Sequence, residues 1–296
     1  MIKTPRLRLA LQKSGRLSKE CINLLEKCGL KIQAGKSTLL YRVPNFPLDL
    51  LMVRDDDIPS FVSNGVCDAG IVGEDVFLEQ LFSSNGAEDL EIGYRLGLAK
   101  CRLCLAVPEN SRIENTQQLN GLRIATSFPG ITQKYMFDNK IEVQLVEMEG
   151  SVEVAPQLQI ADAIADLVST GATLVANGMR LLQEIQSSEA ILIKKSKNLS
   201  DEKLSIFNRL LTRVKGVLSA SESKYIMLHA PENSVKQIRE LLPGAEAPTT
   251  LTLPGIPGKV AIHAVCQENI FWETMEELKK AGASAILVLP IEKMMV

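Results

Sequence analysis

Apolar and polar residues alternate over residues 6–11, the segment Gln12, Lys13, Ser14, Gly15, Arg16 breaks the alternation, and Cys21, Leu24, Leu25 and Cys28 then recur at helical spacing up to Gly29. A period of two followed by one of 3.6 predicts a strand, a loop and a helix over 18–30. The unit repeats. Residues 48–53 predict a short strand, and Asp57 stands where it can cap a helix with Pro59 in its first turn and Gly65 near its end. Residues 68–73 read as a buried strand and 74–81 as a helix. A second run begins near 101–107. There, a strand at 123–126 leads into a helix with Ser127 as cap and Pro129 in its first turn, and another strand follows at 141–146. Residues 190–194 predict a strand. The helix predicted over 201–218 carries its stripe at Leu204, Phe207, Leu210, Leu211, Val214 and Leu218. Strands alternating with helices predict α/β layers on a mostly parallel sheet.

Past Ser219 the pattern changes. Strands are predicted at 225–228, 249–253, 260–265 and 285–289, with helices at 232–242 and 271–281. That order, βαββαβ over about 70 residues, is the split ferredoxin-like module. Modules of this kind serve as regulatory or assembly domains.

The densest chemistry lies in residues 149–174. Asp162 and Asp166 are four residues apart; Ile160, Ala163, Ile164 and Leu167 around them suggest a buried helix, which would put both carboxylates on one face. Like charges at that spacing cost roughly 0.2–0.5 kcal/mol, so the pair is useful where something polar or cationic sits between. Ser169, Thr170, Gly171, Ala172 and Thr173 follow, with three hydroxyls around a glycine that lets a ligand approach the backbone. Carboxylates for sugar hydroxyls beside an anion cradle point to a phosphosugar site. If Thr173 opens the next helix, the anion also sits at a positive helix end.

Other candidates are weaker. The loop of Lys13, Ser14, Gly15 and Arg16 lies at a strand-to-helix crevice, where ligands of open α/β sheets bind, and its two cations can neutralise a polyphosphate. The stretch from Asp68 to Gly73 and Glu74 presents acids near a strand end. Residues 54–57 read as a helix cap with flanking solvated acids, and His263 as a structural strand residue. A P-loop and a G-x-G-x-x-G motif are both absent from the sequence.

Composition narrows the partners. With 296 residues, two or three domains are expected. The net charge of −2 and 4% aromatic content argue against a nucleic-acid surface. The N-terminus lacks a signal-peptide pattern, and no apolar run approaches the roughly 18 residues of a membrane span, so a cytoplasmic protein without membrane contact is expected. The six cysteines read as buried thiols, including the lone C-x-x-C of Cys101 and Cys104.

These segments resemble the long form of ATP phosphoribosyltransferase, the first enzyme of histidine biosynthesis. The resemblance spans essentially the whole chain, with anchors at 11–17 (LQKSGRL), 53–59, 121–127, 153–174, 222–228, 271–276 and 286–294. Glu153, Ala161, Ile164, Asp166, Leu167, Thr170, Gly171, Thr173 and Leu174 fall in register with the family signature. Gln159 departs from it, standing where the family has glycine.

The resemblance implies two catalytic lobes like type II periplasmic-binding proteins, 1–99 completed by 190–220, and 100–189, followed by a ferredoxin-like regulatory domain at 221–296. It implies ATP and phosphoribosyl pyrophosphate as substrates, Mg²⁺ with no assigned protein ligands, histidine as feedback inhibitor, and a homo-oligomer built from dimers into a hexamer. Glu153, Asp162 and Asp166 become the expected catalytic acids, Ser169–Thr173 the phosphoribosyl grip, and Lys13, Ser14, Gly15, Arg16, Asp68, Gly73 and Glu74 the ATP side. His229, Thr249 and Ser284, near strand ends of the last domain, are the regulatory candidates. A two-lobed binding protein without catalysis, or a phosphoribosyltransferase for another base, remains the alternative.

Overall fold

The computed structural model describes residues 5–34, 39–83, 89–169, 171–196, 199–242 and 247–295. The chain divides into two compact units, Met1–Asn208 and Arg209–Val296. The division falls inside a long helix, ahead of the 220/221 boundary expected from sequence.

The first unit holds two lobes. Lobe I begins with β1 (Leu7–Gln12), α1 (Arg16–Lys27), β2 (Gln33–Ala34), β3 (Leu40–Val43) and β4 (Leu48–Val53), then α2 (Ile58–Ser63), β5 (Ala69–Gly73), α3 (Glu74–Phe82) and β6 (Leu90–Arg95). Lobe II comprises β7 (Cys101–Pro108), β8 (Arg123–Thr126), α4 (Pro129–Asp138), β9 (Gln144–Glu147), β10 (Ala163–Val168), α5 (Ala172–Ala176) and β11 (Met179–Ser188). The chain then returns to lobe I as β12 (Ala190–Lys195), and α6 (Asp201–Ser221) begins in this unit and ends in the second.

Among the described residues the lobe I sheet has the order β2-β3-β4-β1-β5-β12-β6, and the lobe II sheet the order β11-β7-β10-β8-β9. In lobe I, β4, β1 and β5 run parallel, and the returning β12 inserts antiparallel beside β5. In lobe II, β9, β8 and β10 run parallel, with β7 antiparallel to β10. Two lobes wound this way, joined by two crossovers, have the type II periplasmic-binding-protein architecture.

The strands are sandwiched, which is why they read as apolar runs. Ala10, Ile58, Val62, Val72 and Ile191 pack on one face of the first sheet. Ile164 and Val168 of β10 face Val152, Ala155 and Leu174, while Ala163 and Ala165 face Met136 and Ile141. Burying one such Leu or Ile contributes about 1.5–3 kcal/mol.

The second unit contains β13 (Ser223–Pro231), α7 (Val235–Leu241), β14 (Thr249–Thr252), β15 (Lys259–Gln267), α8 (Glu268–Lys280) and β16 (Ser284–Pro290). Their order β14-β15-β13-β16 is that of the ferredoxin-like fold. Ile226, Leu228, Ile262 and Ala264 pack with Ile238 and Leu278 of the two helices.

The largest difference from the sequence reading concerns Asp162 and Asp166. Their segment is strand β10, not a helix. A strand buried on both faces leaves no period of two to see, and the spacing of Ile160, Ala163, Ile164 and Leu167 imitates a helical stripe. Two caps also differ. Neither Asp57 nor Ser127 caps a helix by its side chain: Asp57 makes no cap bond, and α4 has Phe128 at its N-cap position. The strands β2, β3, β6 and β11 had no counterpart in the sequence reading. β11 carries two register shifts, after Leu181 and after Glu184, and bulges erase the alternation that reveals a strand.

Candidate functional site

Ligands of open α/β sheets bind beyond the carboxyl ends of parallel strands. In lobe I those ends lead to Lys13–Arg16 after β1, Arg54–Asp57 after β4 and Glu74 after β5; in lobe II they lead to Ser127 after β8, Met148 after β9 and Ser169 after β10. A cavity of about 970 Å³ lies between the two sets, lined by Arg54, Asp56 and Glu79 from lobe I and by Ser127, Phe128 and Glu149 from lobe II. A second cavity, of about 390 Å³, lies at the crossovers between Glu74 and Arg95 on one side and Lys100, Arg102 and Ser169 on the other.

Asp166 sits near the carboxyl end of β10. Its Oδ1 accepts a hydrogen bond from the Leu167 backbone N–H at 2.8 Å. Burial first, and then the Glu153 charge, raise its proton affinity above that of an ordinary carboxyl. Glu153 lies in the 3-10 turn Val152–Val154, whose Val152 packs on the same face of β10 as Ile164 and Val168. The fold therefore brings Glu153 and Asp166 together at a strand end. Two carboxylates in one partly desolvated place favour a cation or a developing positive charge between them.

The turn after β10 follows directly. Gly171 has φ +80° and stands as the N-cap of α5. Ser169, Ala172 and Thr173 are exposed. The first turn of a helix leaves amide N–H groups without partners inside the helix, the kind of group that can bind an anion. α5 has five residues, so local amides rather than a long dipole provide the attraction. Thr170 lies outside the described residues.

Asp162 is at the other end of β10, about 13 Å from Asp166 at 3.3 Å per strand residue. It accepts from the Arg123 backbone N–H at 3.0 Å and from Arg123 Nη2 at 2.9 Å. The Arg123 guanidinium holds its carboxyl below the usual carboxylate range. The structure separates Asp162 from the pair and makes it a clasp between β10 and β8.

Asp68 has the same fate at the start of β5. It accepts from the Arg8 N–H at 2.8 Å and from Lys203 Nζ at 2.7 Å, at the strand end away from the cleft. We expect Asp68→Ala and Asp162→Ala each to lower the urea midpoint, because each removes the acceptor of a backbone amide and of a cationic side chain.

Among the other lobe I candidates, Glu74 is 6% exposed and gripped by both Arg95 Nη atoms, while its N–H donates to the Glu189 carbonyl at 2.9 Å. A Cβ on Gly73 would stand 2.2 Å from Asp75 Oδ1, so Gly73 leaves room for the Asp75 carboxyl. Lys13, Ser14, Gly15 and Arg16 are exposed; Lys13 N–H donates to the Val53 carbonyl at 2.7 Å, which ties this loop to the Arg54 loop. Arg16 Nε donates to Glu20 Oε1 at 2.7 Å on its own helix. Sequence reasoning missed Arg54 and Asp56 as cleft residues, reading them as solvated neighbours of a cap. Burial raises the Asp56 carboxyl, and Asp55 and Asp57 add to it.

In the second unit, His229 pairs with Ser284 across β13 and β16, while Thr249 pairs with His263 on the far side of β15. His229 and Ser284 are neighbours; Thr249 is two strands away from His229. His263 Nδ1 is hydrogen-bonded to the Tyr225 hydroxyl, a structural contact. All six cysteines are free, and burial pushes the Cys21 thiol up to about 12 and the Cys67 thiol to about 11.

Gln159 has φ +58°, the left-handed region that a glycine would occupy without strain, and its carbonyl accepts from Arg123 Nη1 at 2.9 Å. An L-residue there costs about 1–2 kcal/mol, partly offset by the extra unfolded-state entropy of glycine. Gln159→Gly should therefore leave Tm unchanged or raise it by about 1–3 °C. A fall of several degrees in differential scanning fluorimetry would contradict this account of the loop.

The fold and cleft define a two-lobed α/β protein that holds its ligand between strand ends. Residues 54–216 match the family model of HisG, ATP phosphoribosyltransferase, and residues 220–293 match that of the HisG C-terminal domain. An ATP phosphoribosyltransferase of Maricaulis maris (strain MCS10) is 50% identical over 292 residues, 99% of either chain. The solved ATP phosphoribosyl transferase (HisG:HisZ) complex from Thermotoga maritima is similar at TM-score 0.59 and 30% identity, covering 71% of this chain and 98% of that one. The chain belongs to the ATP phosphoribosyltransferase family, in its long form, and is an enzyme of that kind. This sets aside the reading of a binding protein without catalysis.

Proposed function

We propose that the cleft transfers the 5-phosphoribosyl group of phosphoribosyl pyrophosphate to N1 of ATP, giving phosphoribosyl-ATP and pyrophosphate. The observation that carries this reading is a buried carboxyl, Asp166, raised by burial and then by the Glu153 charge, on the strand that leads into the Gly171 turn. The turn from Ser169 to Thr173 takes the 5-phosphate. The C1–O bond to pyrophosphate breaks while adenine N1 forms the new C1–N bond. N1 is a modest nucleophile, so positive charge builds on the ribose ring. Asp166 and Glu153 stabilise that charge by position, and no enzyme nucleophile is required. Lys13, Arg16 and Arg54 supply cations for the polyphosphate side.

Among the described residues no group of three His, Cys, Asp or Glu side chains converges to hold a metal ion. A divalent cation, Mg²⁺ in our reading, would be carried on the pyrophosphate as part of the substrate, where it would neutralise the leaving group. The C-terminal domain binds histidine as a feedback inhibitor, with His229 and Ser284 the better placed candidates, and the chain works as a homo-oligomer of dimers reaching a hexamer. Direct displacement inverts C1, so the product's ribosyl bond should be β by NMR, and added histidine should slow its formation. An α product would demand a covalent intermediate and overturn the displacement.

A further inference from the structure

Helix α4 begins without a cap of its own. Its N-cap residue is Phe128, which has no polar side chain, and Pro129 has no N–H. The Phe128 N–H donates to Thr126 Oγ1 at 2.9 Å and the Thr132 N–H to the Phe128 carbonyl at 3.0 Å. Two first-turn donors remain, the amides of Gly130 and Ile131, and a helix start needs partners for both. They donate to Glu79, at 2.7 Å to Oε1 and 3.0 Å to Oε2. Glu79 belongs to α3, in the other lobe, and Ser83 Oγ donates to its Oε1 at 3.0 Å and fixes its orientation.

The approach leaves little room for a side chain at position 130. A Cβ on Gly130 would stand 2.7 Å from Ser83 Oγ, 3.0 Å from Glu79 Oε1 and 3.1 Å from the Glu79 carbonyl oxygen. Glu79, Ser83, Thr126, Phe128 and Pro129 all line the 970 Å³ cleft cavity. The contact therefore sits on the cleft wall itself.

We propose that Glu79 is a positioning residue, a latch that caps α4 from the opposite lobe and holds the cleft at the width both substrates need. Its role in turnover rests on the phosphoribosyl transfer proposed above; its role as a lobe clasp does not. Releasing the latch lowers the fraction of molecules with a competent cleft, and apparent affinity falls by that fraction. Both substrates require the same cleft width, so both KM values should rise by a common factor while kcat changes little. A side chain that touched one substrate would move one KM.

The test uses the full chain as wild type, Glu79→Ala, Glu79→Gln, Gly130→Ala and the Glu79→Ala/Gly130→Ala double variant. Backbone hydrogen exchange over residues 128–132 reads the latch, and steady-state kinetics read its consequence. Glu79→Ala should speed exchange there about tenfold or more and raise both KM values about five- to tenfold, with kcat within about threefold. Glu79→Gln keeps one good acceptor oxygen and should fall between. Gly130→Ala breaks the same contact from the other lobe, and it carries the test if Glu79→Ala does not fold. The double variant should show little further loss, because both changes remove one interaction. Unchanged exchange over 128–132 would overturn the latch. Faster exchange with both KM values unmoved, or with one alone moved, would overturn the positioning role. A wild-type chain that forms no phosphoribosyl-ATP would sink the functional reading, and the exchange result would still decide the clasp.

Discussion

Asp166→Asn is expected to lower kcat about 10²- to 10³-fold, the usual cost of losing one preorganised charge aimed at a developing transition state. The same substitution should leave the fold intact and raise Tm by about 1–3 °C. The signs follow from the local electrostatics. Burial and the Glu153 charge raise the folded-state pKa of Asp166 above its unfolded value. A carboxyl shifted upward destabilises the fold once pH rises through its unfolded pKa towards the folded one, and the cost persists at neutral pH. Asparagine removes the charge and keeps Oδ1 as acceptor for the Leu167 amide. Rapid-quench turnover together with a melting curve checks both halves. Unaltered turnover and unaltered affinity for phosphoribosyl pyrophosphate would remove Asp166 from the ribose site.

Gly171→Ala is the second large effect. At φ +80° an L-residue costs about 1–2 kcal/mol, so the protein should remain folded but lose a few degrees of Tm. The neighbourhood is otherwise open, with Val168 Cγ1 the nearest atom to a new Cβ at 4.0 Å. The methyl group would stand where we propose the 5-phosphate binds. KM for phosphoribosyl pyrophosphate should rise about 10- to 100-fold, one to two steps of 1.4 kcal/mol, while KM for ATP stays within a few fold. Parallel rises in both would assign Gly171 to cleft geometry instead of phosphate contact.

Interior strands with an intact pattern were legible from sequence: β4 and β8 lie where 48–53 and 123–126 predict them. The ferredoxin-like order was equally plain, because its strands alternate with one face buried, as Ile226, Leu228 and Ala230 do on β13. Three strands at the margins of the first unit's sheets were not. β2, β6 and β11 lie at sheet margins, and β11 is bulged. Their polar, irregular sequences obey solvent and pairing partners that lie far away in the chain.

The site was half legible. Composition alone could draw attention to Asp162 and Asp68, but not show that each opens its strand, tied to the amide of Arg123 or Arg8. Which end of a strand an acid occupies decides whether it meets the cleft, and that depends on strand boundaries, the least certain part of a sequence reading. Glu79 carried no local signal at all. Its importance comes from a helix start more than fifty positions away that lacks a cap.

Joining of phosphoribosyl pyrophosphate to N1 of ATP in this cleft can be followed by its products. The most direct measurement incubates the full chain with both substrates and Mg²⁺ and follows phosphoribosyl-ATP by mass spectrometry against released pyrophosphate. The account predicts the two products in equal amounts, with formation abolished or reduced about a hundredfold or more in Asp166→Asn. Binding of both substrates without phosphoribosyl-ATP would contradict it.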